Sequence, residues 1–231
     1  MLVYAIRHAE SLSNVRQAEG LNAGLTELGR RQAAALADRL RAAGLAAVYS
    51  SPFARCIESA MPLAEALGLP IRVRADLCEH HHLPPGTRVD LGLEPMEHLG
   101  RRHPLVISCE DQQESPGWVP ADETFSALVA RMRRFAAFLK TRWTGEDEVV
   151  AVFSHGSPIA RFIEAWLTDE AGPSFRFIID NGTIAALRHL GGVSTLVCLN
   201  EASHLRGLPV PAAANFAADG TIRRSTGADG W

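Results

Sequence analysis

The stretch Leu2-Val3-Tyr4-Ala5-Ile6 is an apolar run without alternation, and it ends abruptly at Arg7-His8-Ala9-Glu10. A short run of this kind is typical of a strand buried on both faces, as in a parallel sheet. The pattern recurs over 148–153, a run that ends at Ser154-His155-Gly156. Polar, reactive side chains therefore follow two predicted buried strands. This is the edge at which open α/β sheets bind their ligands.

Helical patterns alternate with the predicted strands. Thr26 can cap a helix over 26–43, and Gly68 and Pro70 close a second helix that follows Ser50-Ser51-Pro52. Further strands are predicted at 46–49, Ile71–Val73, Phe175–Ile179 and Ile184–Leu190. Gly191-Gly192 predicts a hairpin turn into a last strand, Val193–Asn200. Further helices are predicted from Asp122 and over 158–167. The helix after Asp122 carries an apolar stripe of Phe125, Leu128, Val129, Met132, Phe135, Leu139 and Trp143, which predicts a core-facing side. The alternation predicts an α/β fold, a three-layer sandwich of helices around a mostly parallel sheet.

The 231 residues fit one enlarged α/β domain. Residues 83–122 hold six of the thirteen prolines and show no sustained periodicity. A segment of that length without regular structure is typical of a functional lid or an insertion. We therefore predict a single domain over 1–206, in which 83–121 form a cap over the site, followed by a loose tail over 207–231.

The composition excludes several classes of protein. The net charge of −3 gives no overall attraction to nucleic acid or anionic membrane, and no run approaches the length of a membrane span. The start of the chain lacks a basic segment typical of a signal peptide. The four cysteines are scattered, which favours free thiols in a reducing compartment, the cytoplasm. Of the 23 basic residues 22 are arginines, an excess that mostly reflects compositional bias.

The residues at the predicted strand ends suit phosphoryl transfer. Arginine supplies planar, permanently charged donors for phosphate oxygens, and a neutral imidazole can attack phosphorus. A second histidine can stabilise the transferred group, and a carboxylic acid can protonate the departing oxygen. One set of side chains fills these roles: Arg7, His8, Arg55, Glu79 and His155.

Several stretches together resemble one family. Arg7-His8-Ala9-Glu10-Ser11 is similar to the Arg-His-Gly-Glu-Ser/Thr signature of the histidine phosphatase superfamily, in its phosphoglycerate-mutase-like branch. Further matches follow in register: Asn14, Leu25-Thr26-Glu27-Leu28-Gly29-Arg30-Arg31-Gln32-Ala33, Ser50-Ser51-Pro52-Phe53-Ala54-Arg55, Leu77-Cys78-Glu79, Ser154-His155-Gly156, and an Asn…His-Leu ending from Asn200 to Leu205. The resemblance covers 1–82 and 122–205 and leaves 83–121 and the tail unexplained.

The resemblance implies a role for each matching position. His8 would be the phosphorylated nucleophile, Arg7 and Arg55 would clamp the phosphate, and His155 would complete the pocket. Glu79 would protonate the leaving group, Asn14 would touch the substrate or phosphate, and the helix start at Gly156 would add backbone donors. The family needs neither a metal nor an organic cofactor. The implied activity is a metal-independent phosphatase acting on a small-molecule phosphomonoester. The sequence leaves the oligomeric state open, with a homodimer as the commonest kind of assembly.

The chain also departs from the family pattern. Ala9 replaces the usual Gly, and Ser59 stands where Thr is usual. After Glu79 the chain reads His80-His81-His82-Leu83-Pro84, where glycolytic mutases have Glu-Arg-His-Tyr-Gly. This difference favours a phosphatase over the alternative, a phosphoglycerate mutase, and leaves other carboxylates open for the acid role of Glu79. Glu10 and Glu123 are the spare carboxylates, and a non-catalytic phosphate-binding module is the alternative from another class.

Two further groups allow a functional interpretation. The His80-His81-His82 triplet could bind a metal, but a polar or substrate-facing role is favoured because only alternate residues share a face of an extended segment. Arg101-Arg102, in the insertion, could meet a second anionic group of a substrate. Arg131, Arg133 and Arg134 are predicted to form a solvated face of the long helix.

Overall fold

The computed structural model describes residues 1–81, 83–84, 86–109, 122–168 and 177–209. These residues form a seven-stranded sheet in the order β4-β3-β2-β5-β1-β6-β7. The strands are β1 (Leu2–Arg7), β2 (Leu45–Ser50), β3 (Ile71–Val73), β4 (Val106–Ser108), β5 (Val149–Ser154), β6 (Ile184–Leu190) and β7 (Val193–Glu201). Strands β1 to β5 pair in parallel, while β6 and β7 are antiparallel to their neighbours. The predicted mostly parallel α/β sheet is confirmed.

Helices cover both faces of the sheet. They are α1 (Glu27–Leu40), α2 (Ala54–Leu67), α3 (Met96–Arg102), α4 (Phe125–Arg142) and α5 (Gly156–Leu167). Val3 and Ala5 of β1 pack with α4 and α5, whereas Ile6 packs with α1, α2 and α3. Both faces of β1 are buried, so its unbroken apolar run has the predicted physical cause. The three layers are confirmed.

Local signals predicted most element boundaries. The Thr26 hydroxyl accepts a hydrogen bond from the Gly29 amide and so caps α1. Gly68 ends α2 in the left-handed conformation, at φ 63°. Gly191 and Gly192, at φ 57° and 78°, form the predicted turn between β6 and β7.

Three expectations about the fold are wrong. Residues 83–121 contain regular structure, contrary to expectation: α3 and β4 lie within them, and β4 pairs with β3 at the edge of the sheet. The strand predicted at Phe175–Ile179 does not form over 177–179, and its first two residues lie outside the described part of the chain. In the stripe of α4, Phe125 is 44% exposed, whereas Leu128, Met132, Phe135 and Leu139 are buried as predicted. Most of the predicted tail also lies outside the described residues.

Within the described ranges, no helix is long and apolar enough to cross a bilayer. All four cysteines are free thiols, and Cys56, Cys78 and Cys109 are buried.

Candidate active site

Sheet topology brings the predicted site residues to one edge. Strands β1 and β5 are neighbours with Arg7 opposite Ser154, so His8 and His155 both follow at their carboxyl ends. Their ring centroids lie 5.2 Å apart in an edge-on arrangement. Strand β2 flanks β5 on the other side and leads directly into α2, whose first turn carries Arg55. Strand order alone therefore places these side chains together.

His8 is held in one tautomer. Its side chain is buried, and Nδ1 lies 2.8 Å from the carbonyl oxygen of Ala9. A carbonyl oxygen only accepts hydrogen bonds, so Nδ1 carries the proton and Nε2 keeps its lone pair. Burial lowers the pKa of His8 well below its usual value, and the charges of Arg55 and Arg7 lower it further. The ring is therefore neutral near pH 7, with Nε2 as a nucleophile.

His155 lies between a serine and an arginine. Arg55 Nε is 3.3 Å from Nδ1, and Ser51 Oγ is 2.9 Å from Nε2. Because a guanidinium only donates, Nδ1 accepts and Nε2 donates its proton to Ser51. Burial and, next, the charge of Arg55 lower the pKa of His155 well below its usual value. Arg55 is fixed further by the carbonyl of Leu21 at 2.9 Å.

Glu79 faces His155 from the turn after β3. Its Oε2 lies 3.5 Å from His155 Nδ1, and its Oε1 accepts a hydrogen bond from the His80 amide at 3.0 Å. Burial raises the pKa of this carboxyl, against the opposing charges of Arg55 and Arg7. A carboxyl that stays protonated to higher pH is the form that a proton donor needs.

Arg7 lies across the start of α5. Its NH1 donates to the carbonyl of Ile179 at 2.6 Å. A Cβ added at Gly156 would be 3.6 Å from the Arg7 guanidinium carbon, an ordinary van der Waals contact. Arg7 and the first amides of α5 are therefore neighbours, which is a combination suited to an anion.

Asn14 makes its described contacts within the protein. Its Oδ1 accepts hydrogen bonds from the Ser11 amide, the Ser11 hydroxyl and Asn181 Nδ2, at 3.0, 2.9 and 3.1 Å. These bonds brace the loop that follows His8. The predicted contact of Asn14 with substrate stays a prediction.

The sequence interpretation missed the residues that hold the His8 backbone. Asn181 Nδ2 and the Gly182 amide both donate to the His8 carbonyl at 3.1 Å, and the Gly182 amide is equally close to the Arg7 carbonyl. The Asn-Gly dipeptide before β6 is a turn signal that could have drawn attention to this loop. Asn200 and His204, from the C-terminal motif, support it through hydrogen bonds to Ile178, Asp180, Gly182 and Thr183.

The histidine triplet divides between different contacts. His80 Nε2 lies 2.8 Å from the carbonyl oxygen of Glu123, while the His81 ring is 5.6 Å from the ring of Phe53. His82 lies outside the described residues. Among the residues that are described, no group of three or more His, Cys, Asp or Glu side chains is placed to hold a metal ion.

The spare carboxylates and the arginine clusters are engaged elsewhere. Glu10 Oε1 accepts from the Thr26 hydroxyl at 2.8 Å, and Glu123 pairs with Arg131. Arg101 and Arg102 are exposed on α3 and pair with Glu97 and Glu94. The predicted solvated face is wrong for Arg131, which is 2% exposed, although Arg134 is exposed as expected.

Comparison with known proteins agrees with this geometry. The chain is 30% identical over 205 residues to a bifunctional protein of Mycobacterium tuberculosis, but spans only 54% of the length of that relative. It is 28% identical to phosphoserine phosphatase 1 of Hydrogenobacter thermophilus, covering 87% of this chain and 92% of that one. A mycobacterial glucosyl-3-phosphoglycerate phosphatase structure matches with a TM-score of 0.62 at 26% identity, covering 86% of this chain and 98% of the other. A structure described as a putative alpha-ribazole-5'-P phosphatase from Escherichia coli shares the fold, with a TM-score of 0.63 at 24% identity over 87% and 96% of the two chains.

The model of the histidine phosphatase superfamily, branch 1, matches residues 3–202. The match spans the strand ends that carry Arg7, His8 and His155, and also the turn that carries Glu79. The chain therefore belongs to the histidine phosphatase superfamily.

Proposed function

We propose that this protein is a metal-independent phosphatase that hydrolyses a phosphomonoester through a phosphohistidine on His8. The observation that carries the proposal is the state of His8, whose Nδ1 proton is bound to the Ala9 carbonyl, so that Nε2 keeps a lone pair for attack. Arg7 and Arg55 place positive charge near this ring, the His155 ring lies 5.2 Å from it, and Glu79 lies beside His155.

The first step transfers the phosphoryl group to the enzyme. His8 Nε2 attacks phosphorus, the ester P–O bond breaks, and the proton of the Glu79 carboxyl passes to the departing alcohol oxygen. Arg7 and Arg55 balance the charge on the equatorial phosphate oxygens. A phosphate dianion beside His155 raises the pKa of that ring, because the negative charge favours its protonated form.

The second step frees the enzyme. A water molecule attacks phosphorus, the P–N bond to His8 breaks, and the Glu79 carboxylate takes the proton of the water. Inorganic phosphate leaves, and Glu79 is again an acid. Glu79 regains its proton and His8 Nε2 its lone pair, so one water is consumed for each ester.

Contacts of the 83–121 insertion support a role for it as a cap that selects the substrate. The Asn22 side chain donates to the Gly92 carbonyl at 2.8 Å and accepts from the Ala54 amide at 2.8 Å, at the start of α2. The loop around Gly92 is thereby tied to the helix turn that carries Arg55. We propose that this loop borders the entrance for the alcohol part of the substrate. The relatives named as phosphatases of phosphoserine and glucosyl-3-phosphoglycerate support a small phosphorylated metabolite as that substrate. The cytoplasmic location and the homodimer stay predictions.

A phosphate-release screen tests the proposed function. The purified chain is incubated with a panel of phosphomonoesters that includes phosphoserine, glucosyl-3-phosphoglycerate and 3-phosphoglycerate. We expect phosphate release that is absent in His8→Ala and unchanged in Arg134→Ala, a control at an exposed arginine of α4. Rapid quenching should trap an acid-labile phosphoenzyme with the wild-type chain. Undiminished turnover by His8→Ala would refute the mechanism, and interconversion of 3- and 2-phosphoglycerate without phosphate release would identify a mutase instead.

A further inference from the structure

A buried ion pair lies behind the turn that carries Glu79. Arg131, near the middle of α4, and Glu123, just before that helix, have side chains only 3% and 6% exposed. The guanidinium binds both carboxylate oxygens, with Nε to Oε1 at 2.9 Å and NH2 to Oε2 at 2.6 Å. This two-bond arrangement fixes the orientation of the guanidinium as well as its position.

The remaining nitrogen of Arg131 holds the backbone next to Glu79. NH1 donates to the carbonyl of Asp76 at 2.6 Å and to that of Cys78 at 2.9 Å. These two carbonyls belong to the turn that delivers Glu79, and Cys78 is its immediate neighbour. The approach of the chain to the acid is therefore set by a side chain of α4.

The other neighbour of Glu79 is held by the same pair. His80 Nε2 lies 2.8 Å from the backbone carbonyl of Glu123 and, facing a pure acceptor, must donate. The amide of His80 in turn donates to Glu79 Oε1 at 3.0 Å. The residue before Glu79 is thus held by the Arg131 side chain, and the residue after it by the backbone of Glu123, which Arg131 binds.

We propose that Arg131 and Glu123 are positioning residues that hold the Glu79 carboxyl in line with the leaving-group oxygen. The proposal rests on the function proposed above, in which Glu79 is the proton donor. Stability alone gives little reason for the pair, since apolar side chains of similar volume often replace a buried ion pair without loss. An apolar pair cannot bind the carbonyls of Asp76 and Cys78. Proton transfer, by contrast, is sensitive to small displacements of the donor.

The dependence on the leaving group separates positioning from a merely structural role. p-Nitrophenolate departs with little help from an acid, whereas the alkoxide of phosphoserine needs a proton as the ester bond breaks. The variant Arg131→Met/Glu123→Met removes both charges together and so leaves no unpaired buried ion. We expect its kcat/KM to fall about 30-fold or more for phosphoserine but by less than about 3-fold for p-nitrophenyl phosphate. Arg134→Met, at an exposed arginine of the same helix, should change neither value.

A second variant keeps the test decisive if the double replacement does not fold. Arg131→Lys retains the charge beside Glu123, but one ammonium cannot hold the carboxylate and both carbonyls in the same geometry. We expect the same selective loss with phosphoserine, smaller in size. Two results would overturn the positioning role. One is a folded Arg131→Lys variant with the wild-type ratio of kcat/KM for phosphoserine to kcat/KM for p-nitrophenyl phosphate. The other is an equal loss of kcat/KM on both substrates in either variant.

Glu79→Gln, measured in parallel, distinguishes failure of this inference from failure of the proposed function. If Glu79→Gln shows the selective loss with phosphoserine and the Arg131 variants do not, only the positioning role is wrong. If Glu79→Gln reduces both substrates equally, the acid role of Glu79 is wrong. In the Glu79→Gln background, the Arg131→Met/Glu123→Met replacement should add no further selectivity, because both act on the same proton.

Discussion

Replacement of Asn200 by alanine should weaken both the fold and the site. Asn200 Oδ1 accepts hydrogen bonds from the Asp180 amide at 3.0 Å and the Thr183 hydroxyl at 2.9 Å, and Nδ2 donates to the Ile178 carbonyl at 2.8 Å. Its backbone lies at φ 53°, in the left-handed region that asparagine tolerates better than alanine. One side chain thus closes the loop between Ile178 and Thr183.

The expected magnitude follows from these contacts. Each hydrogen bond contributes about 1 kcal/mol net, so Asn200→Ala loses about 3 kcal/mol. Alanine at a positive φ adds about 1 kcal/mol of strain. Water can reach this half-buried residue and replace part of the loss, so we expect the free energy of unfolding to fall by about 2–4 kcal/mol.

The same loop positions the catalytic groups, so activity should fall too. Ile179 accepts from Arg7 NH1, and Gly182 donates to the backbone carbonyls of Arg7 and His8. A displacement of Arg7 and His8 by a fraction of an ångström should lower kcat/KM about 10-fold or more.

Urea unfolding and phosphatase kinetics, with Asn200→Gly as the matched variant, check both parts. Glycine relieves the strain but restores no hydrogen bond, so it should recover about 1 kcal/mol of stability and none of the lost kcat/KM. A loss of stability below about 1 kcal/mol in Asn200→Ala, or wild-type kinetics in Asn200→Gly, would contradict the role given to these hydrogen bonds.

Two other predictions follow from the site and from α1. The reaction needs neutral His8 and protonated Glu79, so kcat/KM should fall at low pH as His8 gains a proton, and at high pH as Glu79 loses one. Because burial lowers the pKa of His8 and raises that of Glu79, the pH optimum of kcat/KM should be mildly acidic. Glu79→Gln should flatten the fall of kcat/KM at high pH. An unchanged fall in that variant would show that Glu79 is not the titrating group. The charged groups that act on Glu79 are Arg7, Arg55 and Arg131, and the titratable groups beside it are His155 and Cys56. Gly29→Ala should destabilise the chain severely, since the new Cβ would lie 1.9 Å from the Glu10 carbonyl oxygen, whereas at Gly100, also helical, the nearest atom is 3.5 Å away. Thermal melts of Gly29→Ala and Gly100→Ala check this, and equal melting temperatures would refute the steric argument.

Much of the fold was predictable because its signals are local. A buried parallel strand needs an unbroken apolar run, and the runs before His8 and His155 fixed both strands within a residue or so. In a parallel sheet the carboxyl ends of the strands lie at one edge, so the sequence predicts that edge for both histidines. The pairing of β1 with β5, which brings the two rings together, is known only from the structure. The Thr26 cap and the Gly68 end were equally local.

The elements inside 83–121 were not predictable in this way. Strand β4 has only three residues, Val106–Ser108, too few to show a period, and it exists through pairing with β3. Helix α3 has seven residues and buries only Leu99 among them. The density of prolines suggested irregular chain, but Pro95 stands just before the first turn of α3, where no backbone donor is needed.

Arg131 was wrongly predicted to be solvated because its residue type was weighed and its position on the helix was not. Leu128, Met132 and Phe135 form the buried stripe of α4, and Arg131 stands three residues after the first and four before the last. That spacing places it on the core-facing side, while Arg134 falls on the solvent side. A guanidinium cannot be buried without acceptors for its donors, so its position alone requires a carboxylate and further oxygens nearby. Glu123 supplies the carboxylate, and the turn that ends at Glu79 supplies the carbonyls. The charge that looked least related to the site is therefore the one that links the helical layer to the proposed acid.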